Sequence, residues 1–216
     1  MTIRSYDKNK IKKRISEYEV ESRPKLFISG DSAPYYGVIK KALEDSLLYL
    51  VENPEDVMID YDLLMNSGVH VLTELLYVTD GSVSGMKVID LGCGSTKQST
   101  YFSDRWLPYM SEILTRFGAI VTGIDYRPNN KASYDHQTID LIRSDRIISG
   151  DFDLIIAKSL IDGLIGKSSN QTMEDKILEH FSGLLRSDQL TITDLDVTQY
   201  GFKHVFFREF NTLWYR

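Results

Sequence analysis

The sequence predicts an α/β fold: a mostly parallel, doubly wound sheet packed between helices, preceded by a helical N-terminal segment. Three observations carry this. Lys87-Val88-Ile89-Asp90-Leu91 is a short apolar run, suited to a strand buried on both faces, and it ends in a glycine-rich turn, Gly92-Cys93-Gly94. After Gly85, short apolar runs alternate with stretches of helical spacing, the pattern of a parallel sheet with crossover helices. Before it, the apolar residues recur mainly at helical spacing.

Taken in order, residues 4–14 are basic (Arg4, Lys8, Lys10, Lys12, Lys13, Arg14) and Glu17, Glu19 and Glu21 follow, which reads as a solvated helix face or a mobile terminus. Asp31-Ser32-Ala33-Pro34 has the capping side chain and first-turn proline of a helix start. Val38, Ile39, Ala42, Leu43, Leu47, Leu50 and Val51 supply that helix's apolar face, and Asn53-Pro54 ends it. Further helical stretches are expected within 59–65 and from Ser67 to Tyr77. Residues 80–85 form the loop into the central strand.

Beyond the glycine turn the segment 95–108 is longer than a simple crossover needs, and Pro108 divides it from a helix near 108–117 closed by Gly118. Ile120 to Asp125 reads as the second strand, 137–141 as the third, and 151–158 as the fourth. An amphipathic helix runs from Thr172 to Arg186, a fifth strand covers 190–195, and a terminal strand pair follows. The expected division is 1–85, an N-terminal helical extension or lid, and 86–216, a ligand-binding core.

Composition narrows the function. The chain has 216 residues and a formal net charge of −6, which argues against a general nucleic-acid or membrane-surface binder. Cys93 is the single cysteine, so no disulfide framework or thiolate metal site forms within one chain. The 4 histidines are scattered without ligand spacing, and no metal is expected. No apolar run reaches the length of a membrane span and the N-terminus lacks a signal-peptide core, so a cytoplasmic protein is expected.

The run Val88-Ile-Asp-Leu-Gly-Cys-Gly94 resembles motif I of the class I S-adenosylmethionine-dependent methyltransferases, an apolar strand followed by an acid, any residue, and Gly-x-Gly. The resemblance covers residues 60–216 and implies a Rossmann-like, seven-stranded sheet whose last strand inserts antiparallel. It implies S-adenosyl-L-methionine as cofactor and S-adenosyl-L-homocysteine as product. Gly92, Cys93 and Gly94 would pack on the cofactor's amino-acid part and Asp90 would help bind its ammonium group. Asp125, ending the second strand, would accept both ribose hydroxyls, with Tyr126 against the adenosine. Asp140, beside Leu141, would accept the adenine amino group; as an N-cap for residues 141–143 it reads equally well. Lys158 falls where the chain passes the reactive methyl, and Tyr35-Tyr36 on the N-terminal helices would close over the cofactor, Tyr36 being the candidate contact.

A nicotinamide Rossmann domain is the rival reading. It requires a third glycine, where this sequence has Lys97, and Asp90 would face the phosphates. Methyl transfer to a high-pKa oxygen or nitrogen needs a base, for which Asp162, Lys158, His136 and the helix tyrosines Tyr35 and Tyr36 are candidates that no spacing selects. The expected function is transfer of a methyl group to O or N of a small-molecule acceptor. The alternatives are a catalytically inactive S-adenosylmethionine-binding partner or regulatory subunit, and a methyltransferase acting on RNA or protein.

Overall fold

The computed structural model of the chain describes residues 6–20, 34–50, 68–96, 107–145, 148–157, 171–193, 197–206 and 212–216. Helices α1 (Lys8–Val20), α2 (Tyr36–Leu50) and α3 (His70–Val78) precede strand β1 (Lys87–Leu91). Then come α4 (Tyr109–Arg116), β2 (Ile120–Asp125), β3 (Asp135–Thr138), β4 (Leu154–Ala157), α5 (Gln171–Leu184), β5 (Leu190–Thr193), β6 (Lys203–Phe206) and β7 (Thr212–Tyr215). The strands form a 7-stranded sheet in the order β3-β2-β1-β4-β5-β7-β6. Pairing is parallel from β3 through β5, and β7 runs antiparallel to both β5 and β6. This is the Rossmann-like, seven-stranded sheet with an inserted antiparallel last strand that motif I implied.

Period-two alternation sorts the strand residues between two cores. Val88, Val121, Leu154, Ile156, Leu190, Ile192 and Leu213 pack on one face with α1 to α4. Ile89, Leu91, Ile124, Ile155, Ala157 and Trp214 pack on the other, with Ile177, Phe181 and Leu184 of α5 and with Val197 and Phe202. Each residue of β4 is buried, as a strand covered on both faces requires.

The residues on the two sides of the expected boundary at 85 share this core. Ile11, Ile15, Ile39, Leu43, Leu72 and Leu75 lie in the same cluster as the strand residues, so α1 to α3 are one layer of the sandwich and not an appendage. A central sheet needs both faces covered. The described contacts of α1 lie away from the glycine turn. Lys8 pairs with Asp153 just before β4, Lys12 with Asp188 before β5 at 3.1 Å, and Arg14 with Asp80 at 2.9 Å. The backbone N–H of Tyr6 donates to Ser84 O at 2.9 Å, in the loop that enters β1. These partners all precede strands, so α1 straps the amino ends of the sheet, opposite to the glycine turn. The helix expected within 59–65 and the segment 97–106 lie outside the described residues.

Two smaller differences have plain causes. The third strand is Asp135–Thr138, earlier than the apolar Ile139 and Leu141 suggested, because as the sheet's outer strand it is largely solvent-facing and carries no apolar alternation. Between β5 and β6 the described residues hold one 3-10 turn, Thr198–Tyr200, in keeping with the near-absent helix expected there.

Candidate cofactor site at the carboxyl ends of β1 and β2

From β1 the chain winds outward in one direction through β2 and β3 and in the other through β4 and β5. The crevice beyond β1 is therefore the switch point at which open α/β sheets bind ligands. The turn after β1 depends on glycine. Gly92 has φ 72° and Gly94 φ 96°, the left-handed region that a Cβ disfavours. The Gly92 and Cys93 N–H groups both donate to Ile124 O, at 2.8 and 3.0 Å, which bends the chain across the end of β2.

Asp90 and Asp125 share a face of the sheet, since Asp90 pairs in register with Gly123 and alternation places Asp125 on Gly123's side. Both are buried. Asp90 accepts a hydrogen bond from Ser111 Oγ of α4 at 2.7 Å. Asp125 binds the glycine turn directly: its Oδ2 accepts from Gly94 N at 3.1 Å. Its Oδ1 accepts from Arg127 N at 2.9 Å and from Arg127 Nε at 3.0 Å. The Arg127 guanidinium also lies over the Tyr126 ring, 5.2 Å from its centroid. The loop after β2 is tied to the turn a second time, by Ser95 Oγ donating to Pro128 O at 2.8 Å and Thr96 Oγ1 to Asn129 Oδ1 at 3.2 Å.

Beneath the turn lies a polar cluster. Tyr134 OH donates towards Cys93 Sγ at 3.6 Å and accepts from Asn129 Nδ2 at 3.3 Å. His136 Nδ1 is 3.8 Å from the same sulfur, and its Nε2 is 3.0 Å from Arg127 O. Burial, and then the Asp90 carboxylate, pushes the Cys93 thiol well up, so it stays protonated. Burial, followed by the neighbouring Cys93, raises the Tyr134 phenol likewise. Gly123 makes room for both groups: a Cβ there would run into the Tyr134 ring and sit 2.9 Å from Cys93 Sγ.

The other expected site residues separate. Asp140 acts as the cap, its Oδ1 accepting from Ile142 N at 3.0 Å and Arg143 N at 3.2 Å. Leu141 is buried in the α5-side core, and its carbonyl lies 2.8 Å from His180 Nε2. Tyr36 stacks on His70 at 5.7 Å, and the Tyr35 ring fills the space beside Gly81, near the amino ends of the strands. Neither contact brings these tyrosines to the glycine turn. Lys158 and Asp162 lie outside the described residues. His136 is turned inward onto Cys93 and Arg127, so it is a structural member of the turn's support rather than an offered base. Arg127, Ser111, Asn129 and Tyr134 were not anticipated; the Arg127 position, two after the strand-ending acid, was the available signal. Among the described residues no group of three or more His, Cys, Asp or Glu could hold a metal ion. Nor is any of their helices long and apolar enough to cross a membrane.

The sheet order and the positive-φ turn are those of the Rossmann-like fold that the motif I resemblance implied. No family model and no curated protein matches the chain. Solved structures do. A TehB-like SAM-dependent methyltransferase from Corynebacterium glutamicum is 16% identical, with 76% of this chain and 100% of that chain covered and a TM-score of 0.46. Magnesium protoporphyrin IX methyltransferase (ChlM) from Synechocystis PCC 6803, with bound SAH, is 18% identical over 74% of this chain and 68% of that one, at 0.42. A variant of MtNAS in complex with S-adenosylmethionine is 13% identical over 97% of both chains, at 0.48.

Proposed function

We propose that the chain is an S-adenosylmethionine-dependent methyltransferase that transfers the methyl group to O or N of a small-molecule acceptor. The observation that carries the reading is the pair of buried acids, Asp90 and Asp125, flanking a turn held at positive φ by Gly92 and Gly94 at the sheet's switch point. The residues present fit a sulfonium nucleoside. A bare backbone bend admits close approach, one carboxylate at the β2 tip suits a vicinal diol, and a second at the β1 tip suits a cation. A dinucleotide fits less well, because Asp90 would face its pyrophosphate and Lys97 stands where that fingerprint needs a third glycine.

The cofactor, when bound, supplies an activated methyl group. This chain's part is to bind and orient. Gly92, Cys93 and Gly94 would hold the amino-acid portion, Asp125 the ribose and Tyr126 one face of the adenine, while Asp90 sets the charge at the end of β1. Asp90 is fixed in turn by Ser111, and Asp125 by Gly94, so the two groups keep their spacing without the ligand. Cys93 is held protonated and inward, which keeps the one thiol of the chain away from an alkylating ligand.

A second reading, a binding module without transfer, is favoured by one observation. His136, the histidine among the base candidates, is engaged inward at both ring nitrogens. Incubation with methyl-labelled cofactor and a pool of small metabolites decides between them. Transfer into the small-molecule fraction supports the enzyme, and calorimetric binding of S-adenosylhomocysteine without transfer supports the module. No binding to the folded protein overturns both.

A further inference from the structure

The hydrogen bonds of Asp125 leave too little room for the ligand just proposed, and this points to a function for Arg127 that rests on that reading. A carboxylate offers about four lone-pair directions. Arg127 N and Nε take the two on Oδ1, and Gly94 N takes one on Oδ2. A ribose needs two acceptor directions for its hydroxyls, and one remains. Of the three donors, two are backbone N–H groups, one fixed by the positive-φ bend at Gly94 and the other in the turn two residues on. Only the guanidinium hangs on a side chain that can rotate away without unfolding either turn.

We propose that Arg127 is a gate and a specificity-determining residue for the nucleoside site: its Nε–H occupies the direction on Asp125 Oδ1 that the second ribose hydroxyl requires. Both partners are nearly enclosed, with side chains 10% and 6% exposed, so the bond that a diol must replace is a charge-assisted one and not a screened surface pair. Its loss is offset only when two hydroxyls arrive. A 2′-deoxy nucleoside, carrying one hydroxyl, uses the remaining direction on Oδ2 and leaves the guanidinium where it is. The gate therefore compresses the preference for ribose over deoxyribose, and removing it widens that preference. The guanidinium leaves from over the Tyr126 ring, freeing that face at the same moment.

The test is calorimetric titration of the wild type, Arg127→Met and Arg127→Gln with S-adenosylhomocysteine and with its 2′-deoxy form. The expected result is binding of the diol ligand about tenfold tighter in both variants, with the 2′-deoxy ligand changed by less than about twofold. Equal changes for the two ligands, or an unchanged or weaker affinity for the diol, overturn the gate. A second readout needs no variant of doubtful folding: the Arg127 Nε–H resonance of the wild type, followed by nitrogen-15 NMR, should move on saturation with S-adenosylhomocysteine and stay in place with the 2′-deoxy form. A resonance unmoved by the diol ligand overturns the proposal while leaving the cofactor reading intact. Folded wild type and variants that bind neither ligand would remove the cofactor reading, and the gate with it. Binding of the diol by the variants alone is the strongest support.

Discussion

The two ends of the sheet use their acids in opposite ways. At the amino ends, Asp153, Asp188 and Asp80 are held by Lys8, Lys12 and Arg14 of α1, partners distant in sequence. Asp153 also accepts from Lys87 N at 2.9 Å, so a single carboxylate joins α1, β1 and β4. At the carboxyl ends, Asp125 is held by its own turn, through Arg127 two residues on, and by Gly94. A long-range pair can be broken only by moving one element off another. A local pair can be broken by rotating one side chain. The amino end is therefore built to stay shut. At the carboxyl end the bonds of Asp90 to Ser111 and of Asp125 to Gly94 are long-range, and the Asp125–Arg127 side-chain pair is the local contact that can exchange at small conformational cost.

The largest expected effect tests that contrast directly. Asp125→Asn keeps the shape but removes the charge, and affinity for S-adenosylhomocysteine should fall roughly a hundredfold, about 2–3 kcal/mol. Calorimetry at fixed salt measures it, and an affinity within twofold of wild type would remove Asp125 from the site. The same substitution at the other end, Asp153→Asn, should leave that affinity unchanged and lower unfolding stability by about 1–2 kcal/mol in urea, since it weakens the bonds to Lys87 and Lys8. The half-exposed lysine keeps the figure small. If Asp153→Asn weakened binding as much as Asp125→Asn, the two ends would not be separable.

Gly123→Ala probes the support of the turn. The added Cβ meets the Tyr134 ring and Cys93 Sγ, and the neighbours must shift. Overpacking of this kind costs about 1–3 kcal/mol. Stability should fall, and ligand affinity with it, because the displaced sulfur belongs to the turn that carries Gly94. A pairing with Tyr134→Phe, which removes the hydroxyl and keeps the ring, should not restore stability; rescue by it would show the hydroxyl rather than the ring to be the obstacle.

The legible parts of the molecule were those written in local pattern. Val88 to Gly94 declares a strand and a bend because burial on both faces and positive φ each restrict residue type. Strands β1, β2, β4 and β5 followed from short apolar runs. What stayed hidden was what depends on distant residues. The basic run of α1 looked like a solvated face because its acids lie beyond residue 79, and nothing in a local window links Lys8 to Asp153. Strand β3 was misplaced because Asp135-His136-Gln137-Thr138 has the composition of a loop, and only pairing with Thr122 to Asp125 makes it a strand. Asp140 was ambiguous for the opposite reason: capping and ligand binding both ask for a short acid at a turn, and the capping bonds are present on Oδ1.

The smallest expected effect concerns the strap alone. The Asp188 carboxyl is held below its ordinary range, first by the Tyr215 hydroxyl, which donates to Oδ1 at 2.9 Å, and then by Lys12. Because the folded value is the lower one, the unfolded chain binds more protons in the window between the two, and stability there rises with pH. The contribution is complete above the unfolded carboxylate value, about 3.9, and is lost as pH falls through the folded value. Asp188→Asn suits the test, since Asn keeps an acceptor for Tyr215 and tolerates the positive φ of 55° that this residue adopts. Wild type should exceed the variant in urea midpoint near neutral pH, and the gap should close in acid. The site at the far end should not notice: S-adenosylhomocysteine affinity near neutral pH should be the same in both proteins. A gap that persisted below the folded value would mean that Asp188 acts through its turn geometry and not its charge, and a change in affinity would mean that the strap reaches the carboxyl ends after all.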